Sequence, residues 1–447
     1  MAFSTYRLSR RKWSAIIGIM LATGVTLAGC GSGSSPANVA NSKKVVHLTF
    51  WSWVPGIKQQ VALFNKTHRN IQVTLDKVVA GTSGTYSKMF TAIKAGDPPD
   101  VGQIEFDVLP QFVQTGGILN LANYGAAKYA KDFTPFTWGL VHFGGGIWAI
   151  PQATGPTGLL YNATLFKKYN LAVPKTWSQF AHEAISLHKA HPHVYLTNFD
   201  PSTSWLAMSV WQAGGRWFQI VNNKSWKLGF TSSPSQQVAS YWQALINRGA
   251  VPIELSFNSS WYHQLANGTI LTWPTAQWGT TIIQDEVSSG SGKWKIAPMP
   301  QWSAGASQYG QWGGSTTAVF KATKHPHAAE TFALWMNKNQ QSIAAGVKAG
   351  FGWPAAKSGV SVSPLHVKSP YFSNQNPFPI FNASETHTVS GWSYGPDYLT
   401  TVTQMRNLYS HLGPKGAKGG LTLLQILSKI QHEQLSTLKS QGISAIK

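Results

Sequence analysis

The strongest constraint on the fold is an alternation of strand-like and helix-like segments that begins at residue 45. Residues 45–53 (VVHLTFWSW) alternate apolar and polar side chains, as a half-buried strand does. Residues 57–68 then carry apolar side chains at helical spacing, and residues 71–79 are strand-like again. A second helical segment (86–95) and a short apolar strand (101–104) follow. This order predicts a parallel sheet with helices on its faces, which is an α/β fold.

The same periodicities predict further elements along the chain, without visible internal repeats. The predicted helices are 109–119, 177–190, 327–336 and 421–438, and the predicted strands are 147–150, 293–299 and 315–319.

The composition is that of a large folded protein. Of 447 residues, 43% are hydrophobic and 12% aromatic, which is enough apolar surface to exclude wholesale disorder. The length corresponds to about two to three domains. A single Cys excludes a disulfide framework and any multi-Cys metal or iron–sulfur site. No run of about 18 apolar residues occurs beyond the N-terminus, so the pattern is not that of a polytopic membrane protein.

The N-terminus has the pattern of an export signal. Four basic residues at positions 7–12 precede an almost wholly apolar or small run, 16–28. That run is shorter than the ~20 residues that a membrane span needs, so 1–29 is predicted to be a signal peptide. The closing Leu27-Ala28-Gly29-Cys30 resembles the bacterial lipobox, and Cys30 is the only Cys in the chain. We therefore predict lipidation of Cys30, followed by a flexible polar tether over 30–44.

The net charge results from a shortage of acids. The chain has 36 Lys and Arg against 15 Asp and Glu, a formal charge of +21, which falls to +17 without residues 1–29. The basic residues are spread thinly rather than clustered on a stripe, so nucleic-acid binding is not predicted. A surface with few carboxylates has little to protonate as pH falls, and an acidic habitat is one hypothesis that follows.

Four of the fifteen acids lie within eleven residues. Asp97 and Asp100 flank Pro98-Pro99 and are typical of a turn. Glu105 and Asp107 instead follow the strand 101–104 and precede a helix. They thus sit at the carboxyl end of a predicted parallel strand, where open α/β sheets bind ligands. A helix N-terminal acid that complements the helix dipole is the alternative interpretation.

Tryptophan is unusually abundant, with 20 residues in the chain. Flat indole faces stack on the apolar C–H faces of sugar rings, so Trp in Gly-, Pro- or polar-rich stretches is a candidate ligand contact. Any single Trp is nevertheless more often a core residue. The candidates are Trp51, Trp53, Trp205, Trp278, Trp312, Trp353 and Trp392.

Neither an enzyme nor a metal protein is indicated by a motif. The chain has no Gly-x-Ser-x-Gly and no His-Glu-x-x-His. The residues His182, His188, His191 and His193 do not share one helical face, so we predict no metal site there and no cofactor. Glycoside hydrolysis by two carboxylates stays open as an alternative, with Glu105 as the acting acid.

Six segments together resemble the sugar-binding lipoproteins of bacterial ABC importers, the group related to maltose-binding protein. The resemblance runs over nearly the whole chain after the lipobox. It is carried by LTFWSWVPG (48–56), AIKAGDPPDVGQIEFDVLPQF (92–112), GGGIWAIPQATGPTGLLYN (144–162), VPKTWSQF (173–180), KWKIAPMPQW (293–302) and GQWGGSTTAVFKATKHPHAAETFALWM (310–336).

The resemblance implies a type II periplasmic-binding-protein fold, in which two α/β lobes joined by hinge strands enclose a ligand cleft. The first lobe would comprise 45–153 and 307–352, and the second 156–305 and 353–447. Residues 152–156 would form the first hinge crossing, and ligand binding would close the hinge.

The resemblance also implies which residues line the cleft. These are the first-strand aromatics Trp51 and Trp53, Glu105 after the Pro-Pro-Asp-Val strand, and Trp312-Gly313-Gly314 before the return strand. Trp392 and Tyr394 resemble a late aromatic platform. Asp107 and Gln152, together with the other tryptophans named above, complete the predicted ligand-binding set.

The expected function is that of a lipid-anchored binding protein without enzymatic activity. It would act as a monomer on the outer face of the membrane, capture a sugar or oligosaccharide, and pass it to the permease subunits. A secreted glycoside-active enzyme and a binding protein for a peptide or non-sugar polyol are the alternatives.

Overall fold

The computed structural model describes residues 44–222 and 225–447. The predicted signal peptide (1–29), the predicted lipidation site Cys30 and nearly all of the predicted tether lie outside the described residues. Residues 44–447 form one compact unit.

The described residues contain both strands and α-helices in alternation. The strands are β1 Val46–Ser52, β2 Ile71–Lys77, β3 Val101–Glu105, β4 His142–Phe143, β5 Gly146–Ile147, β6 Ile150–Asn162, β7 Phe218–Val221, β8 Ser225–Leu228, β9 Thr272–Ala276, β10 Trp294–Ala297, β11 Gln311–Val319, β12 Trp353–Pro354 and β13 Ala445–Ile446. The helices are α1 Ile57–Thr67, α2 Thr85–Ala95, α3 Leu109–Gln114, α4 Pro135–Gly139, α5 Ala163–Lys168, α6 Trp177–Ala190, α7 Thr203–Gln212, α8 Ser233–Asn247, α9 Ser259–Asn267, α10 Gly279–Glu286, α11 Pro326–Lys338, α12 Gln340–Lys348, α13 Phe378–Thr386, α14 Tyr398–Tyr409 and α15 Leu423–Ser440.

The N-terminal alternation forms the parallel unit that its sequence predicts. Strand β1 pairs in parallel with β2 on one side and with β3 on the other. Its Leu48 and Phe50 are buried, while the alternating residues His47 and Thr49 are exposed. This alternation orients one face of β1 towards the core, where Phe50 packs edge-on against Phe332 of α11.

One eight-stranded sheet organises the molecule. Its path is β10-β6-β11-β3-β1-β2, with β9 and β12 also paired to β6. The two halves of the thirteen-residue strand β6 pair with different strands. Its first half pairs with β11 and β12, and its second half, from Thr157 to Asn162, pairs with β9 and β10. A single strand therefore connects two sets of strands, and the predicted crossing 152–156 lies on its first half.

Several predicted boundaries are corrected by the structure. The helix predicted over 109–119 ends at Gln114, because Gly116 adopts a positive φ of 67° that an α-helix does not permit. The last long helix begins at Leu423 rather than 421, because the Thr422 side chain and Gln425 form a capping box in front of it.

Two absences concern the described residues alone. Within 44–222 and 225–447, no helix is both long enough and apolar enough to cross a membrane. In the same ranges, no three His, Cys, Asp or Glu side chains are grouped as a metal site requires.

Candidate functional site

Glu105 and Asp107 lie at the carboxyl end of β3, where the topology places them. Glu105 is the last residue of the strand, and Asp107 follows two positions later, before α3. The Tyr86 hydroxyl donates a hydrogen bond to Oε2 of Glu105 (2.8 Å) and accepts one from the Glu105 backbone N–H (3.0 Å). Tyr86 thus holds both the carboxyl group and the backbone of Glu105 in one orientation.

The position of Tyr86 depends on a close approach by Gly81. A Cβ atom on Gly81 would lie 2.2 Å from the Tyr86 ring, which is closer than real contacts allow. Only glycine leaves room for the ring there. The same ring packs edge-on against Trp53, at 5.8 Å between centroids, which brings one predicted aromatic to the acid pair.

A segment far along the chain covers Asp107. Tyr398, the first residue of α14, lies against the Asp107 carboxyl group and affects its pKa. The Tyr398 hydroxyl also lies 3.0 Å from Oγ of Ser204. The backbone N–H of Leu399 donates to Oε1 of Gln111 on α3, at 3.2 Å. Oδ1 of Asp107 is buried without a hydrogen-bond partner in the described residues.

Burial dominates the electrostatics of this site. It raises the pKa of Glu105, with the Tyr86 hydrogen bond acting in the opposite direction. It also raises the pKa of Asp107 well above the ordinary value, and the Glu105 charge adds to that rise. The hydroxyl pKa values of Tyr86, Tyr394 and Tyr398 are raised well above the ordinary value too, first by burial and then by the two carboxylates. The tyrosine hydroxyls therefore remain hydrogen-bond donors, and no Lys, Arg or His side chain contributes to these shifts.

A second group of aromatic rings lies at the start of β11. The Trp278 indole N–H donates to the Trp312 backbone oxygen (2.8 Å), and the two rings meet edge-on at 5.0 Å between centroids. Phe257 packs against both at 5.9 Å, is 43% exposed, and has a positive φ of 66°. Such a backbone conformation is strained for a bulky residue and is found at ligand sites more often than elsewhere.

The Trp-Gly-Gly segment connects the two groups. Gly313 and Gly314 have φ values of 77° and 112°, which side chains with a Cβ rarely adopt. The Gly314 backbone oxygen accepts a hydrogen bond from the Phe106 N–H (3.2 Å), and Ser315 pairs with Glu105. The aromatic rings and the acid pair therefore belong to adjoining ends of β11 and β3.

The late aromatic residues form a buried stack. Trp392 lies parallel to Trp211, with centroids 5.2 Å apart and planes 6° apart, and Tyr394 packs edge-on against Trp392 and Tyr398. Trp392 and Tyr394 are 5% and 8% exposed. Through Tyr398 this stack reaches Asp107.

Four predicted residues are placed away from this site. Trp205 is buried against Phe199 and Trp242, since every residue of α7 apart from Ser204 is buried. Trp353 is buried and stacks on Phe378. Gln152 accepts a hydrogen bond from Thr317 inside the sheet layer. Trp51 donates to Asp76 and lies under Lys88, both exposed. The first three residues thus make packing or sheet contacts, and Trp51 makes a hydrogen bond and a cation–π contact with exposed side chains.

Three residues of the site carry no sequence signal that would identify them. Tyr86, Tyr398 and Phe257 lie on or before ordinary helices, and no motif connects them. The Gly81 to Tyr86 contact is the one local hint, because a glycine just before a helix start is compatible with a bulky neighbour.

Comparison with known proteins identifies a family and relatives that this chain resembles. The family model of the bacterial extracellular solute-binding proteins matches residues 51–343. The arabinooligosaccharide-binding protein of Bacillus subtilis (strain 168) is 22% identical over 344 residues, which are 72% of this chain and 75% of that protein. An uncharacterised lipoprotein of Streptomyces antibioticus is 25% identical over 204 residues, 43% of each chain, so this chain matches less than half the length of that relative.

Solved structures of the same fold cover most of the chain. The galacto-N-biose/lacto-N-biose I-binding protein of a Bifidobacterium longum ABC transporter, in complex with lacto-N-biose, has a TM-score of 0.77. It is 25% identical, over 90% of this chain and 99% of that one. The ABC-transporter-associated binding protein of B. animalis subsp. lactis Bl-04, in complex with β-1,6-galactobiose, has a TM-score of 0.75 at 25% identity, over 90% and 100%. The predicted type II periplasmic-binding-protein fold is thereby confirmed, and the chain belongs to the bacterial extracellular solute-binding protein family.

Proposed function

We propose that the protein is the substrate-binding component of an ABC importer that captures a sugar or oligosaccharide and delivers it to membrane permease subunits. The observation that carries the proposal is the group formed by Glu105, Asp107 and three tyrosines beside the Trp278–Trp312 pair. Carboxyl oxygens accept hydrogen bonds from ligand hydroxyls, tyrosine hydroxyls donate or accept them, and indole faces cover C–H surfaces. Relatives that bind oligosaccharides or disaccharides support the same class of ligand.

The charge of the site favours uncharged sugars. Two carboxyl groups share it, and the pKa of each is raised by burial without a basic side chain to offset the charge. A uronic acid or a phosphorylated sugar would bring a further negative charge into a buried, acid-lined space, which is costly. We therefore expect neutral sugars to bind and their uronic acid counterparts to be rejected.

Ligand-induced thermal stabilisation tests the function. The purified protein would be heated with β-1,6-galactobiose, lacto-N-biose, arabino-oligosaccharides and a matched set of acidic oligosaccharides. A rise in Tm with a neutral sugar, and unchanged sugar after long incubation, is the expected result. Turnover of a bound sugar would favour the glycoside-active alternative. Stabilisation by peptides or polyols alone would favour a non-sugar solute.

The two-lobe arrangement is part of the proposal. Residues 45–153 and 307–352 would form one lobe, and 156–305 and 353–447 the other, with β6 crossing between them. The division of the partners of β6 between its two halves supports this arrangement. Saturating ligand should then reduce the radius of gyration in small-angle scattering, because closure shifts the population to a more compact form. An unchanged radius with confirmed binding would contradict the hinge.

Anchoring by lipid is the second part of the proposal. The Leu-Ala-Gly-Cys30 sequence and the lipoprotein relative support it. Cys30→Ser should remove the lipid and release the protein from the membrane fraction, or leave it uncleaved. Membrane retention of cleaved Cys30→Ser protein would be evidence against a lipid anchor.

A further inference from the structure

A buried glutamine on β3 holds the loop that follows β1. Gln103 lies in the middle of β3 and is fully buried. Its Oε1 accepts hydrogen bonds from the Ser52 hydroxyl (2.6 Å) and from the backbone N–H groups of Trp53 (3.2 Å) and Val54 (3.3 Å). Because β1 ends at Ser52, both N–H groups belong to residues beyond the strand, and one amide oxygen serves as their acceptor.

The other end of the same amide contacts β11. Nε2 of Gln103 donates a hydrogen bond to Oγ of Ser315, at 3.0 Å. Ser315 follows Gly314 on β11 and pairs with Glu105 on β3. One side chain therefore connects the loop after β1 to the strand that carries the Trp-Gly-Gly segment, across the strand that carries Glu105.

The hydrogen-bond partners fix the orientation of this amide. A backbone N–H can only donate, so the atom of Gln103 that faces Trp53 and Val54 must be the carbonyl oxygen. The amide nitrogen then faces Ser315, whose hydroxyl oxygen accepts. The position requires an acceptor towards β1 and a donor towards β11. A glutamine supplies both, whereas a carboxylate lacks the donor and an apolar side chain lacks both groups.

The helix that follows the loop does not hold it by a side-chain cap. Helix α1 begins after Gly56, which has a positive φ of 85° and no side chain to donate or accept a hydrogen bond. The loop before it is held instead at Trp53 and Val54, through Gln103. Removing the amide leaves two backbone N–H groups and a buried hydroxyl without their acceptor, so the loop must rearrange to find other partners.

The loop carries one aromatic ring of the candidate site. The Trp53 ring packs edge-on against Tyr86, at 5.8 Å between centroids, and Tyr86 donates a hydrogen bond to Oε2 of Glu105. Trp53 is half-buried, so part of it stays accessible. The backbone that Gln103 holds therefore determines where this ring lies relative to the acid pair.

We infer that Gln103 is a positioning residue for ligand binding: its amide holds the loop that places Trp53 beside Glu105, and it anchors that loop to β11. The expected effect on sugar affinity rests on the proposed function. The effect on the loop itself does not require a ligand.

Gln103→Met tests the inference, because it removes the amide and nearly retains the length of the side chain. Gln243→Met is the matched control. Gln243 is also buried, and its amide accepts the Leu423 N–H (2.8 Å) and donates to the Gly413 backbone oxygen (3.0 Å), between α8 and the start of α15. Both variants should unfold at a lower denaturant concentration than the wild type. In titrations with β-1,6-galactobiose, lacto-N-biose and arabino-oligosaccharides, Gln103→Met alone should raise the Kd, by about tenfold.

A double-mutant cycle shows whether Gln103 acts through Trp53. Trp53→Ala should itself weaken binding. In that background, Gln103→Met should change the Kd by less than about twofold, because the ring that the loop positions is gone. A wild-type Kd in folded Gln103→Met would reduce Gln103 to a purely structural residue and overturn the inference. The same tenfold loss with and without the Trp53 ring would also overturn it.

Two measurements without ligand test the effect on the loop. Amide hydrogen exchange at Trp53 and Val54, corrected for intrinsic rate, should accelerate in Gln103→Met and not in Gln243→Met. The indole N–H resonance of Trp53, identified by its absence in Trp53→Phe, should shift in the same variant alone. Unchanged exchange and an unchanged resonance would overturn the inference.

These measurements also separate the inference from the proposed function. Should no sugar bind to the wild type, the proposed function fails, while exchange and the indole resonance still decide the role of Gln103. If Gln103→Met does not fold, Ser52→Ala removes the shortest of the three hydrogen bonds to Oε1. It should accelerate exchange at Trp53 and Val54, and wild-type exchange there would count against the inference in the same way.

Discussion

At the scale of the residue, the candidate site is defined by two buried acids and the tyrosines that lie against them. Glu105 owes its orientation to Tyr86, which contacts both its carboxyl group and its backbone. Asp107 owes its cover to Tyr398. In their ionised form, these two buried carboxyl groups make charge-assisted hydrogen bonds with any ligand hydroxyl that replaces water.

Tyr86→Phe should weaken ligand binding about tenfold and lower the unfolding free energy by about 1–3 kcal/mol. The reason is that the Glu105 N–H and carboxyl group lose their partner while the ring shape is retained. Calorimetric titration and denaturant unfolding measure the two effects. Tyr124→Phe, at a half-buried tyrosine of the same chain, is the control and should leave affinity unchanged. Equal affinity of wild type and Tyr86→Phe would remove Tyr86 from the site.

Substitutions at Glu105, Trp312 and Trp177 should separate binding from stability. Glu105→Gln and Trp312→Ala should each reduce affinity roughly tenfold or more, because one loses a charge-assisted hydrogen bond and the other an aromatic surface. Trp177 is a core residue, with 2% exposure and a hydrogen bond to Gln212. Trp177→Ala should lower stability by about 3–5 kcal/mol while folded protein still binds. The reverse pattern in titrations of folded variants would show that the site is misassigned.

At the scale of the element, β6 determines how the site is assembled. It runs unbroken through thirteen residues, of which only Tyr161 is more than minimally exposed. Its close contact with β11 depends on Gly155, since a Cβ there would lie 1.9 Å from the Trp312 backbone oxygen. At this point of the pairing, the two strands can approach as closely as they do only because residue 155 has no side chain.

Gly155→Ala should force β6 and β11 apart, with a loss of about 1–3 kcal/mol in unfolding free energy and a weaker affinity for ligand. The affinity falls because Trp312 moves with its backbone. Gly139→Ala is the control, because a Cβ at Gly139 meets no atom within 4 Å. Unfolding curves and titrations of both variants test this, and a Gly155→Ala protein with wild-type stability would refute the close-packing argument.

At the scale of the whole molecule, several of the few acidic side chains are buried rather than exposed. Among the described residues, Lys338 and Asp132 form an ion pair. Burial raises the pKa of Asp200 to about 6, of Glu330 to about 7 and of Glu385 to about 8. The folded protein therefore binds more protons than the unfolded chain at neutral pH.

Stability should accordingly rise as pH falls from about 8 to about 5. A raised carboxyl pKa in the folded state means that folding takes up protons, so the unfolding free energy falls with increasing pH until the folded pKa is passed. Denaturant unfolding at pH 5, 6, 7 and 8 and constant ionic strength measures the slope. Glu385→Gln should reduce the slope, and an optimum at pH 8 would contradict the prediction. This behaviour agrees with the hypothesis of an acidic habitat, which stays a prediction.

The local elements and the general location of the candidate site follow from the order of the amino acids alone. The β1-α1-β2-α2-β3 alternation follows from side-chain periods of two and 3.6, which depend on neighbouring residues only. Parallel pairing then places Glu105 at the carboxyl end of β3, the edge at which open α/β sheets bind ligands.

Which side chains meet depends instead on how the elements pack in three dimensions. Asp107 and Tyr398 are brought together from distant parts of the chain. Side-chain periodicity relates neighbouring residues only, so it does not predict a contact between residues so far apart in sequence. Trp205 and Trp278 both follow short segments of Pro, Thr and other small or polar residues. Trp205 nevertheless packs against Trp242, and Trp278 packs against Trp312. The difference arises because burial is a property of how elements pack, and an indole has the same apolar surface to offer to a core as to a ligand.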